Sequence, residues 1–203
     1  MTPERRTYEK RKRAETQAQT RERILRAAVE LHATVGPAQT TIMAVAERAG
    51  VRRSTVYRHF QDEAALVVAC SIHWQTENQP PDPARWAAIE DPDERLHRAL
   101  TDIYAYYAST GLMLDNVLRD ETTMPILTEL LVRFREYMSA AHELLMTGRP
   151  SRGAARRRTS AAIAHALAFS TWRTLAHQLT TEEATDLMVN LVAAAPTEPT
   201  SVR

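Results

Sequence analysis

A single cysteine in 203 residues leaves no internal disulfide. Five glycines and no alternating Val/Ile/Thr runs bounded by turn residues leave little from which to build a sheet. No apolar run approaches the roughly 20 residues that cross a bilayer. The charged N-terminus is not followed by the apolar segment of a secretory signal, so a cytoplasmic chain is expected, with no membrane partner. The seven histidines are scattered without His-x-x-x-His or Cys/His ligand spacing. There is also no Gly-rich phosphate loop and no Gly-x-Ser-x-Gly elbow. Catalytic residues, a metal and a cofactor are therefore all expected to be absent, and Cys70, set among Leu66, Val67, Val68 and Ala69, reads as a buried thiol.

Apolar residues make up 44% of the chain and charged residues 25%, enough to bury a core. Net charge is only +1, but the charge is unevenly spread. Residues 1–60 hold 13 Lys/Arg against 6 Asp/Glu, and residues 61–203 hold 13 against 19, so a basic head of net +7 precedes an acidic body of net −6. That asymmetry points to a polyanionic partner for the head alone.

The apolar spacing is helical throughout, and the expected class is all-α. Residues 1–19 are polar and densely charged and read as a basic disordered arm. Ile24, Ala28, Leu31 and Val35 form one stripe of a first helix, from about residue 20, that Gly36-Pro37 stops. Thr40 and Thr41 offer an N-cap hydroxyl to a second helix burying Ile42, Val45, Ala46 and Ala49, and Gly50 ends it. A third helix over 53–60 buries Val56 and Phe60. Helix, tight turn with Gly, helix, with a supporting helix before them, is a helix-turn-helix arrangement spanning 20–62. Asp62 caps a fourth helix to about residue 79. The body, 63–195, continues as helices near 84–89, 92–109, 112–121, 125–147, 153–178 and 181–195, with a frayed tail over 196–203.

The run from Thr40-Thr41-Ile42 through Val45-Ala46-Glu47-Arg48-Ala49-Gly50-Val51 to Ser54-Thr55-Val56-Tyr57-Arg58-His59-Phe60 resembles the TetR family of repressors. The resemblance implies a dimer that docks paired recognition helices in successive major grooves of a two-fold symmetric operator and leaves it when a small molecule occupies the body. It departs from the family pattern at Arg52, where a capping Ser is usual, at Glu63, where Lys is common, and at Met43, where a polar or basic residue is.

The residues themselves support a DNA-contacting face. With Val56 and Phe60 inward, Ser54 and Arg58 fall opposite, flanked by Thr55 and Tyr57, and all four carry donors suited to phosphates or base edges. Arg52 and Arg53 stand at the start of the third helix, where the helix dipole disfavours cations, so an anionic partner would offset a local cost. Thr41 and His59 complete the expected DNA-binding set. Arginines of the arm are candidates for a minor groove.

In the body, His73, Trp74, Tyr104, Tyr107, Met113, Phe134, Met138, His165, Phe169 and Trp172 are the expected lining of a pocket for a small, mostly apolar effector. Tyr104 and Tyr107 share a helix face, as do His165, Phe169 and Trp172. Small and apolar residues over about 153–195 suit a homodimer interface. Two other readings stay open on the residues alone: a helical protein-binding adaptor, and a DNA-binding regulator with no ligand.

Overall fold

The computed structural model describes residues 3–149 and 152–196, with side chains from Thr7 onward. The described residues are helical, with no strand among them. The order is α1 (Pro3–Thr34), a 3-10 turn (Pro37–Gln39), α2 (Ile42–Arg48), α3 (Arg53–His59), α4 (Glu63–Glu77), α5 (Ala84–Ala87), α6 (Pro92–Asp120), α7 (Pro125–Leu130), α8 (Val132–Met146), α9 (Gly153–Leu167), α10 (Phe169–Leu175) and α11 (Thr181–Ala194). The expected tail lies outside the described residues from 197 on.

Two compact units emerge, residues 1–79 with 112–130, and residues 80–111 with 131–203. The head expected over 20–62 is thus part of a larger unit. Leu66 and Cys70 of α4 share one apolar cluster with Ile24, Ala28 and Leu31 of α1, Val45 of α2, and Val56 and Phe60 around α3. Cutting the chain at residue 62 would expose that shared surface. Cys70 is buried as expected, with its Sγ 3.4 Å from Nδ1 of His32, and burial pushes the thiol up to about 12.

Residues 3–19 of the expected disordered arm are helical, as part of α1. These residues bury little, but Arg, Lys, Glu, Gln and Ala are strong helix formers. Arg11 and Glu15 add an i,i+4 ion pair at 2.9 Å.

The other end of α1 is held by long-range polar contacts. Asn116 Nδ2 donates to the carbonyls of His32 (3.1 Å) and Ala33 (2.8 Å), and Arg119 donates to that of Val35 (3.0 Å). These are last-turn carbonyls with no intrahelical donor. Asp120 accepts from the Ala38 N–H (3.0 Å) and from Arg119 (2.8 Å). Partial burial would raise the Asp120 carboxyl, but those two hydrogen bonds hold it below the usual range.

Burial pushes the His32 imidazole from 6.5 down to about 4, with the Asp120 charge only partly offsetting it. The folded chain therefore refuses a proton that the unfolded chain accepts. Stability contributed by neutral His32 is complete above pH 6.5 and declines as pH falls towards 4. The loss at the lower end is roughly 3 kcal/mol. Thermal melts of wild type and His32→Gln between neutral pH and pH 4.5 check this: the variant should show the flatter dependence.

In the second unit Trp86 is fully buried and donates its indole N–H to Asp102 at 2.9 Å. The buried Arg95 guanidinium donates to the Ile89, Glu90 and Thr147 carbonyls, at 2.8, 3.0 and 2.8 Å, which ties the start of α6 to the end of α8. Arg158 donates to the carbonyls just past α11, at Ala195 (2.9 Å) and Pro196 (2.7 Å).

Three expected boundaries move. The helices expected at 92–109 and 112–121 are one, because Gly111 lies in mid-helix as a contact surface. A Cβ there would meet the Trp172 indole at 3.0 Å. The helix expected over 125–147 is interrupted at Leu131. The one expected over 153–178 breaks at Ala168, whose ψ of 132° is extended. No Gly or Pro marks that break. The freed carbonyls of Ala166 and Leu167 each accept a phenol at 2.8 Å, from Tyr104 and Tyr107. Tyr107→Phe should therefore leave a buried carbonyl unpaired and cost about 1–3 kcal/mol, read as a lower denaturation midpoint with unchanged helix content.

Candidate nucleic-acid interface

Thr41 caps α2 by accepting from the Ala44 N–H at 3.1 Å. At the other end Gly50 takes φ +64°, while Val51 N–H reaches back to the Ala46 carbonyl at 2.9 Å. Nothing stands within 4 Å of where a Gly50 Cβ would lie, so the backbone conformation alone requires glycine there. The turn delivers the chain to α3, and Asp62 restarts it in α4 by accepting from the Ala65 N–H at 2.7 Å.

Val56 is fully buried and Phe60 nearly so, and the opposite side of α3 is open as its spacing required. Arg52, Arg53, Ser54 and Arg58 are exposed, Tyr57 is 39% exposed, and Thr55 is half-buried. Met43 projects from the first turn of α2 with 71% of its surface exposed. Arg52 supplies no side-chain cap to α3.

Two of these residues form one unit. The Arg53 guanidinium lies over the Tyr57 ring, 5.4 Å from its centroid, and donates to the phenol oxygen at 3.1 Å. Arg53 therefore has an internal partner that offsets its place at a helix N-terminus. The pair also fixes the guanidinium at the exposed edge of α3 with further N–H groups unused.

The half-buried His59 ring packs 6.5 Å from that of Phe60. Its Nε2 is buried and meets no hydrogen-bond partner among the described residues. Desolvation, then Arg58 and Arg21, lower its pKa.

The expected pocket residues are divided between the units. His73 lies in the first, 3.8 Å from both Glu22 and Glu77, and Trp74 and the buried Met113 lie there too. In the second, Tyr107 gathers Phe169 (edge-on, 5.3 Å), Trp172 (5.7 Å) and Tyr104 (6.4 Å), and approaches the Met138 sulfur at 3.7 Å. Phe134 is half-buried, and the exposed His165 places Nδ1 3.2 Å from the Thr171 hydroxyl. The two tyrosine hydroxyls, expected to face a ligand, are both engaged by the α9–α10 break. The cluster of Asn116, Arg119 and Asp120 went unnoticed in the sequence, since each is an ordinary surface residue type more than 80 positions from the backbone it holds.

Residues 24–70 match the family model for bacterial regulatory proteins of the tetR family, so the resemblance read from Thr40 to Phe60 holds for the head. No curated protein sequence matches the chain. Among solved structures, a TetR-like transcriptional regulator from Rhodococcus sp. RHA1 is 17% identical, with a TM-score of 0.63 over 86% of this chain and 94% of that one. NalD, the secondary repressor of the MexAB-OprM multidrug efflux pump in Pseudomonas aeruginosa, is 21% identical, with a TM-score of 0.59 over 89% of this chain and 97% of that one. The transcriptional regulator FadR from Bacillus subtilis, in complex with stearoyl-CoA, is 16% identical, with a TM-score of 0.55 over 86% and 98%. The fold is that of TetR-type regulators.

Proposed function

We propose that this chain is a dimeric, sequence-specific DNA-binding repressor that a small, mostly apolar ligand releases from its operator. The observation that carries the reading is the exposed surface of α3, where Ser54 and Arg58 stand opposite fully buried Val56 and the exposed Arg53–Tyr57 pair flanks them, within a head matching the family model. Arg52, Thr55 and His59 of the α3 segment and Thr41, at the start of α2, complete the contact set.

The homodimer reading is supported by α9 and α11. Leu187 and Leu191, one turn apart on α11, remain 46% and 45% exposed, and Ala161 and Ala164 of α9 are exposed small residues that permit close helix approach. A two-fold symmetric reader of duplex DNA serves half-sites about 34–36 Å apart, and an operator of that spacing is expected. An effector site built around Phe169, Trp172 and Met138 is supported by their apolar, partly open cluster. The same fold in FadR was solved with stearoyl-CoA, which makes acyl-CoA compounds the first candidates. No helix among the described residues is long and apolar enough to cross a membrane, in keeping with action on cytoplasmic DNA.

Selection of genomic fragments by the purified chain, repeated with acyl-CoA and other apolar ligands, tests the reading. Discrete fragments should be retained and then released by ligand, with DNA reciprocally weakening ligand binding. Fragments retained identically with every ligand would leave a DNA-binding regulator without an effector. Retention that is insensitive to salt would favour the protein-binding adaptor.

A further inference from the structure

We propose that the helical extension of α1 ahead of Arg21 is a second DNA-contacting surface, a cationic stripe that lies on the phosphodiester backbone flanking the bases read by α3. The proposal rests on the DNA-binding reading above.

Its basis is register. Lys10, Arg13, Gln17, Thr20, Ile24, Ala28 and Leu31 follow one another at spacings of three and four within the unbroken α1, so they share a face. From Ile24 onward that face is the buried apolar side of the helix. Ahead of it, where there is no core to cover, the same face turns cationic. On the opposite face Arg11 pairs with Glu15 and Arg26 with Glu22, each at 2.9 Å, and the exposed Lys12 stands beside them. Lys10 and Arg13 are exposed, and no carboxylate among the described residues pairs with them. The stripe begins beside the recognition helix, since the Arg21 guanidinium lies 5.1 Å over the ring of Phe60, the residue that ends α3.

The chemistry selects the partner. The extension has almost no apolar surface for a protein groove, with Tyr8 as its one large hydrophobic side chain. The helical state also decides the mode. A helix about 10–12 Å across does not enter a minor groove about 6 Å wide, so the contact is to phosphates and carries no base information. This replaces the minor-groove role expected of a disordered arm.

The test compares the full-length wild type with Lys10→Ala/Arg13→Ala and with Arg11→Ala/Glu15→Ala. Each is titrated from low to moderate salt against a duplex selected by the wild type and a random duplex of equal length. The first double variant should flatten the slope of log K against log salt by roughly 0.9 per lost contact, about two per protomer. It should weaken both duplexes by the same factor, and the second double variant should leave the slope unchanged. An unchanged slope for Lys10→Ala/Arg13→Ala, in the presence of wild-type binding, overturns this proposal alone. So does weakening confined to the selected duplex. A wild type that binds neither duplex overturns the DNA-binding reading together with it.

Discussion

Arg53→Ala is expected to bind the selected duplex roughly tenfold to a hundredfold more weakly than wild type and to lose discrimination at one base pair, while binding random duplex nearly as before. The expectation follows from how the side chain is held. An arginine free to sample its rotamers gives up most of that freedom on binding a base edge, but here the Tyr57 ring and hydroxyl already fix the guanidinium. Tyr57→Phe, which keeps the ring and removes the acceptor, should fall between wild type and Arg53→Ala on the selected duplex. Fluorescence anisotropy on single-base-substituted duplexes checks both variants. Equal losses on selected and random DNA from Arg53→Ala would make Arg53 a phosphate contact.

Gly36→Ala is expected to produce the largest stability loss of any single methyl addition in the first unit. Gly36 has φ +95°, a conformation that L side chains rarely adopt. A Cβ there would also run into the Arg119 guanidinium and the Asp120 carboxylate, which hold the end of α1 and the following turn. Backbone strain and loss of those contacts together should cost about 2–3 kcal/mol. For a chain of this size that is a fall in Tm of roughly 5–10 °C, read by calorimetry. Gly50→Ala, also at positive φ but with nothing within 4 Å, is the control and should lose less.

The helix-turn-helix was legible because its determinants are local. Ile42, Val45, Ala46 and Ala49 fix one face by spacing alone, Val56 and Phe60 fix another, and Thr41, Gly50 and Asp62 mark the ends by capping and turn chemistry. What escaped the sequence depends on residues far apart in the chain. Gly111 costs a helix about 1 kcal/mol against alanine, which reads as a stop, yet packing of Trp172 on the bare backbone outweighs it. The break at Ala168 has no local marker, because the phenols that satisfy its carbonyls come from about 60 positions earlier. The reverse error befell the arm, where absence of apolar residues suggested disorder although propensity and ion pairing favour a helix. Arg53 and Tyr57 stood at i,i+4 in the sequence, so their pairing was available to a reading that considered them jointly.

Binding of the purified, folded chain to sheared DNA of its own genome, at low and then rising ionic strength, puts the role of α3 to its most direct trial. Discrete fragments should be retarded at low salt, should dissociate steeply as salt rises, and should no longer be preferred over bulk DNA by Arg53→Ala. If no fragment is retarded at any ionic strength, α3 does not occupy a duplex groove and the regulator reading is contradicted.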